Sequence, residues 1–136
     1  MTLSLDYIAG LFDGEGSIVV RAKRDVRYKA GYQLIIKITL HQKDKQILET
    51  IKEVLKLDAH IYYHKRDDLW YLEVHKISEI KKFLRLIGPR SYIKRQKFRK
   101  LENILNMVEK GLHLSRNGIL EILAAWRAPV TAANPR

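Results

Sequence analysis

The stretch Leu5–Gly16 constrains the fold most, because its character changes abruptly within a few residues. It is apolar from Tyr7 to Phe12 and then reads acid-glycine-acid-glycine. A helix that is apolar around its whole circumference has to be covered on every side. Two acids at its C-terminal end face the negative pole of the helix dipole, at a cost of roughly 0.3–1 kcal/mol each at exposed sites. The stretch therefore predicts a buried helix that ends at a polar site, where a divalent cation would relieve that cost.

Hydrophobic periodicity predicts two strand hairpins among five helices. Ser4 is a candidate cap for the first helix, and Gly14 and Gly16 are expected to end it near Asp13. In chain order, the next predicted elements are a strand over 17–29, a turn at 30–31, a strand over 32–41, a helix capped by Asp44 that ends near 56, strands over 60–66 and 69–75 around a turn at 67–68, a helix over 77–87, a helix capped by Ser91 that ends near 110, and a helix over 117–126.

Alternation along the strands gives the predicted sheet one apolar and one polar face. In the second strand, Leu34, Ile36, Ile38 and Leu40 alternate with outward positions, and in the second hairpin Tyr63 is expected to face inward. The predicted fold class is therefore α+β, with an αββαββα core. Its four-stranded antiparallel sheet is covered by helices on the apolar face, and further helices follow at the C-terminus.

The composition indicates a polyanionic partner. The chain has 26 lysines and arginines against 15 acids, a net charge of +11, which favours nucleic acid first and an acidic membrane second. The alternative is that the charge serves solubility alone. There is no cysteine, so disulfides and thiolate metal sites are excluded.

The length of 136 residues suits one domain, expected over 1–127, with a flexible tail over 128–136. No apolar run reaches the roughly 18 residues of a membrane span, and no signal peptide opens the chain. We expect a soluble, intracellular protein with no membrane partner; cytoplasm and organelle are not distinguished.

The outward face of the predicted sheet carries side chains that grip phosphates and read base edges. A twisted two-stranded ribbon can lie in the major groove of DNA, whereas the alternative is an ordinary solvated face. The predicted DNA-binding residues are Arg21, Lys23, Arg27, Tyr28, Lys29, Gln33, Lys37, Thr39, Tyr62, His64, Arg66, Tyr71 and Glu73.

A second basic cluster lies at the start of the predicted fourth helix. It comprises Arg90, Lys94, Arg95, Lys97, Arg99 and Lys100, without an acid between Pro89 and Leu101. The helix dipole adds to the positive field there, so the cluster predicts phosphate binding, with one lysine near a scissile phosphate. An ordinary solvated helix start is the alternative.

Asp13 and Gln42 have two interpretations each. Asp13 and Glu15 are either a pair of metal ligands, or Asp13 only caps. Gln42 follows the second strand and either orients a water or caps the next helix. Magnesium is usually held by one or two carboxylates plus phosphate and water, so few protein ligands are needed.

The segment Ile8–Gly16 resembles the motif of the LAGLIDADG homing endonucleases in its Asp-Gly-Glu-Gly form, and the resemblance extends over about 5–110. The motif occurs once, which implies the single-motif subfamily, whose chains pair as homodimers through their motif helices. The implied dimer-interface residues are Tyr7, Ala9, Gly10 and Asp13. The resemblance also implies that the sheet forms a saddle on double-stranded DNA.

The implied activity is site-specific cleavage of both strands of double-stranded DNA by metal-dependent phosphodiester hydrolysis, leaving short 3′ overhangs at a long, near-palindromic target. Glu15 and Gly14 would hold Mg²⁺, Gln42 would orient solvent, and Lys97 or Lys94 would contact the reacting site. Mn²⁺ is expected to substitute, Ca²⁺ to bind without supporting cleavage, and no small-molecule cofactor is expected. The alternative is a non-cleaving nucleic-acid binder of this fold, such as an intron RNA maturase or a DNA-binding regulator.

Overall fold

The computed structural model describes residues 3–129, and its elements follow the predicted order. They are α1 (Leu5–Glu15), β1 (Gly16–Arg24), β2 (Tyr32–Gln42), α2 (Lys45–Val54), β3 (His60–His64), β4 (Leu69–Val74), α3 (Ile77–Ile87), α4 (Arg95–Glu109) and α5 (Arg116–Arg127), with 3₁₀ turns at Gly88–Arg90 and Leu112–Leu114. The strands form one sheet in the order β1-β2-β4-β3, and β4 is antiparallel to both β2 and β3. The predicted α+β class is confirmed.

The chain divides into two compact units that interleave in sequence. The first unit comprises the chain up to Val19 together with Lys37–Arg95, and the second comprises Val20–Ile36 and the chain from Gln96 onward. The single domain over 1–127 stays a prediction. Most of the predicted flexible tail, residues 130–136, lies outside the described residues. Within residues 3–129, no helix has the length and apolar character that a membrane crossing requires.

The core of the first unit is built on α1, α2 and α3. Phe12 packs edge-on against Phe83 with ring centroids 5.0 Å apart. Leu48 and Ile51 of α2 are fully buried, as the helical periodicity of the apolar residues predicts. The buried face of α1 consists of Ile8, Ala9, Phe12 and Asp13, while Tyr7 remains 50% exposed. The first helix is therefore covered on one face, not all round.

The second unit contains the loop between β1 and β2 together with α4 and α5. The predicted apolar face of α4 is confirmed by the burial of Phe98, Leu101, Ile104 and Leu105. Helix α5 begins at Arg116, one residue earlier than predicted, because the Ser115 hydroxyl accepts from the Gly118 N–H at 3.0 Å.

Helix α1 runs through Gly14 to Glu15, so the predicted end at Asp13 is wrong. A glycine inside a helix costs about 1 kcal/mol relative to alanine, which packing can outweigh. Here Phe12 and Asp13 are buried, and the Gly16 N–H donates to the Phe12 carbonyl to close the last turn. Glu15 therefore lies in the last turn of a helix and not in a loop.

Strand β1 ends at Arg24, five residues before the predicted end. The Asp25 carboxylate accepts from the backbone N–H of Arg27 at 3.1 Å and from its guanidinium at 2.7 Å. The Tyr28 N–H donates to the Asp25 carbonyl, and Gly31 adopts a left-handed φ of 82°. A side chain that binds its own following backbone competes with strand pairing. The nine-residue strand spans roughly 30 Å.

The second hairpin is also tighter than predicted. β3 ends at His64, so Arg66 lies in the turn before Asp68, which adopts a left-handed φ of 54°. Tyr63 keeps the predicted parity, opposite Trp70, but it is 44% exposed, not inward. Its hydroxyl donates to Asp68 at 2.6 Å, which holds the ring at the tip of the hairpin.

The predicted Asp44 cap of α2 is confirmed, whereas the predicted start of α4 is wrong. Gln42 is the last residue of β2 and does not begin α2, whose cap is Asp44, accepting from the Gln46 N–H at 2.9 Å. The capping interpretation of Gln42 is therefore wrong. α4 begins at Arg95, later than a cap at Ser91 predicts, because Ser91 closes a separate turn by accepting from the Lys94 N–H.

Candidate functional site

Glu15 and His41 form a contact at the end of α1. The Glu15 carboxylate, 46% exposed, lies 3.0 Å from Nε2 of His41 on β2. His41 was not among the predicted site residues. The signal was available, because the alternation that directs Lys37 and Thr39 outward also directs His41 outward, one residue before Gln42. The helix end thus presents one carboxylate that is held from the side by an imidazole.

Asp13 has a different environment, although it is only two residues away. It is 9% exposed and accepts from the Ser91 hydroxyl, from the Tyr92 N–H at 2.8 Å and from the Ile93 N–H at 3.2 Å. Burial alone would raise the pKa of Asp13, but these hydrogen bonds outweigh it, and the pKa is lowered. The carboxylate therefore ties the end of α1 to the turn that precedes α4.

Lys94 lies at the same helix end. Its Nζ donates to the Asp13 carbonyl at 3.0 Å and stands 5.8 Å from the centre of the Phe12 ring. Lysine near the last carbonyls of a helix is favoured by the helix dipole. Lys97, the other predicted lysine, is an exposed residue of α4 in the second unit.

The donor set around α1 contains few protein ligands. Within residues 3–129, no group of three or more histidine, cysteine, aspartate or glutamate side chains could hold a metal ion. Glu15 is an exposed carboxylate that follows the exposed Gly14. One carboxylate completed by phosphate and water suits magnesium, which keeps several waters, so these residues fit a hard divalent cation.

The outward face of β2, β4 and β3 carries a row of rings. His41, Tyr71 and Tyr62 are cross-strand neighbours. The ring centroids of Tyr71 and Tyr62 are 5.5 Å apart and nearly parallel, and those of His41 and Tyr71 are 5.6 Å apart. His60 stacks on Tyr62 at 5.5 Å. The row fixes the position of each ring, because aromatic pairs of this spacing attract one another.

The next row of the same face contains Thr39, Glu73 and His60. The Tyr62 hydroxyl donates to Oε2 of Glu73 at 3.2 Å, and Nζ of Lys37 lies 3.9 Å from the same oxygen. Burial, together with the charge and hydrogen bond of Glu73, raises the pKa of Tyr62. An acid thus lies among bases and aromatic rings near the centre of the sheet.

The predicted DNA-binding residues are divided between the two units. The strands of the first unit carry Lys37, Thr39, Tyr62, His64, Tyr71 and Glu73, and its hairpin turn carries Arg66. The strands of the second unit carry Arg21, Lys23 and Gln33, and the loop between β1 and β2 carries Arg27, Tyr28 and Lys29. Arg27 is bound by Asp25, whose pKa falls to about 2 because of that guanidinium.

A family profile described as LAGLIDADG endonuclease matches residues 8–108. Among solved structures, the homing endonuclease I-TnaI is similar with a TM-score of 0.84 and 29% identity, over 97% of this chain and 91% of that chain. The archaeal intron-encoded homing endonuclease I-Vdi141I, complexed with DNA, has a TM-score of 0.80 and 25% identity, over 90% of this chain and 79% of that chain. The LAGLIDADG homing endonuclease I-LtrWI, bound to target DNA, has a TM-score of 0.82 and 29% identity, over 95% of this chain but 46% of that chain. No curated protein matches. Since the profile covers most of its length, the chain belongs to the LAGLIDADG endonuclease family.

Proposed function

We propose that this protein is a homing endonuclease that cuts both strands of a long, near-palindromic DNA target by phosphodiester hydrolysis with Mg²⁺, leaving short 3′ overhangs. The observation that carries the proposal is the exposed Glu15 carboxylate at the end of the family's motif helix, beside His41. DNA as the substrate is supported by two similar structures, I-Vdi141I and I-LtrWI, that contain DNA.

Each residue of the site has a proposed task. Glu15 would hold the divalent cation together with Gly14, and His41 keeps the Glu15 carboxylate oriented. Gln42, the last residue of β2, orients the attacking water. A bound cation would polarise the phosphate and favour deprotonation of a water. Lys94, anchored on the Asp13 carbonyl, supplies positive charge that opposes the charge developing on the phosphate.

Two copies of the chain act together in this proposal. One motif helix delivers one Glu15, whereas cutting two strands requires two such carboxylates. The chain spans 46% of the length of I-LtrWI, which is bound to target DNA, so two copies provide a comparable amount of chain. A symmetric dimer reads a symmetric target, which is why we expect a near-palindrome.

Glu15→Gln tests the proposal, because it keeps the side-chain shape and removes the charge. We expect Mg²⁺-dependent cleavage to fall by at least about 100-fold, as for loss of a group that stabilises the transition state. Glu49→Gln, a charge-matched change at an exposed position of α2, should leave cleavage unchanged.

The substrate is a genomic DNA library whose cut ends are sequenced. Discrete ends with 3′ overhangs are the expected result. Cleavage by Glu15→Gln at the unmodified rate would contradict the role of Glu15. Selective DNA or RNA binding without any cutting would favour the non-cleaving alternative.

A further inference from the structure

Glu73 is an acid on the face of the sheet that is predicted to bind DNA, and the net positive charge of the chain does not explain its position there. It lies outward on β4, a central strand, between Thr39 on β2 and His60 on β3. Its side chain is 23% exposed. A carboxylate on a surface that approaches phosphates is repelled by them, so a favourable contact has to offset that repulsion.

The contacts of Glu73 are concentrated on one of its two oxygens. The Tyr62 hydroxyl donates to Oε2, and Nζ of Lys37 lies 3.9 Å from the same atom. Within residues 3–129, Oε1 accepts no hydrogen bond. Tyr62 is itself held between His60 and Tyr71 by stacking. The carboxylate is therefore oriented by a fixed ring and keeps one free acceptor.

We propose that Glu73 and Lys37 together read one G·C base pair in the major groove, an inference that rests on the proposed function. Cytosine presents its N4 amino group as a donor, and guanine presents O6 and N7 as acceptors. Oε1 of Glu73 accepts from cytosine N4, while Nζ of Lys37 donates to the paired guanine. Adenine fits less well, because its N7 acceptor stands beside the N6 donor and repels a carboxylate.

A simpler role for Glu73 is to neutralise Lys37, and the two roles predict different selectivity. The test is selection from a random double-stranded DNA library by full-length protein in Ca²⁺ without Mg²⁺, followed by sequencing. The unmodified protein should select a motif with a C·G pair at one position of each half-site.

Glu73→Gln should change the preference at that position from cytosine to adenine, because glutamine pairs with adenine N6 and N7. The ratio of the two bases should shift by about tenfold or more, in keeping with the discrimination that one good base contact provides. Lys37→Met should relax the preference at the same position.

Glu49→Gln removes the same charge from α2 and should leave the motif unchanged. Equal thermal unfolding of the variants checks that each is folded. A Glu73→Gln motif identical to the unmodified one at every position, with affinity raised for all sequences, would overturn the inference and favour neutralisation of Lys37. If Glu73→Gln and Lys37→Met act at different positions, the shared base pair is wrong. If the unmodified protein selects no motif, both the inference and the site-specific proposed function fail.

Discussion

Two acids on the same helix turn have opposite tasks at the scale of single residues. Asp13 is buried and receives hydrogen bonds from three neighbours, whereas Glu15 is exposed and contacts His41. A carboxylate whose lone pairs are occupied by backbone N–H groups is stabilised in its charged form. Asp13 therefore supports the fold, and the exposed Glu15 is available for a ligand.

Asp13→Asn should destabilise the protein by about 1–3 kcal/mol at pH 7, because an amide N–H then opposes backbone N–H donors. The folded-state pKa of Asp13 is lowered, so the stability it contributes is present above the unfolded pKa of about 3.9 and is lost as the pH falls through the folded value. Urea unfolding at pH 7 and pH 3 should show the difference between variant and unmodified protein shrinking at low pH. A difference that does not change with pH would contradict the ionised hydrogen-bonded carboxylate.

His41→Ala should slow Mg²⁺-dependent cleavage by roughly 10–100-fold, the usual effect of losing a partner that orients a metal ligand. Single-turnover cleavage and DNA affinity should be measured together, and the affinity should change little. His75→Ala, at an exposed position after β4, is the matched control and should retain activity. Equal rates for the two variants would show that His41 does not position Glu15.

At the scale of elements, hydrophobic periodicity, helical in the helices and alternating in the strands, was sufficient to predict the order of helices and strands. It correctly placed Ile36, Ile38 and Leu40 on the buried face of β2. It failed where side chains bind the local backbone, as Asp25 does beyond β1, because such bonds leave no periodic signal. The His41–Glu15 contact joins β2 to the end of α1, and that proximity depends on tertiary packing.

The turn between α3 and α4 gives the two candidate lysines different surroundings. Asp13 fixes this turn through Tyr92 and Ile93, and Lys94 reaches back to the Asp13 carbonyl. We predict that Lys94→Met slows single-turnover cleavage on the order of 100-fold, as expected for loss of a fixed charge near the reacting phosphate. Lys97→Met removes the same charge from an exposed position of α4 and should affect DNA affinity more than the cleavage step. The reverse order of the two rates would favour Lys97.

At the scale of the whole molecule, two features are relevant: the net positive charge, which favours binding to a polyanion, and the exposed face of α1, which a second copy of the chain could contact. The chain carries a net charge of +11. The exposed stripe of α1 contains Tyr7, Gly10 and Gly14, spaced by three and four residues, so they lie on one helix face. Ala9, predicted at the interface, is already buried within the chain at 1% exposure. Close approach of a second α1 would therefore depend on the two glycines.

Gly10→Leu tests whether two α1 helices pack together, and the substitution should not destabilise the folded chain. Within residues 3–129, a Cβ at Gly10 would meet no atom within 4 Å beyond its chain neighbours and the local helix backbone, and leucine is a better helix former than glycine by about 0.8 kcal/mol, so the thermal stability of the isolated chain should not fall. A bulky side chain on the stripe should instead separate two packed helices. Light scattering should give twice the 16.0 kDa chain mass for the unmodified protein and the single mass for Gly10→Leu.

Glu49→Leu adds the same side chain to an exposed position of α2 and should remain dimeric. A Gly10→Leu protein that keeps the double mass would place the interface elsewhere on the molecule. An unmodified chain that cuts both strands as a monomer would remove the need for two copies of Glu15.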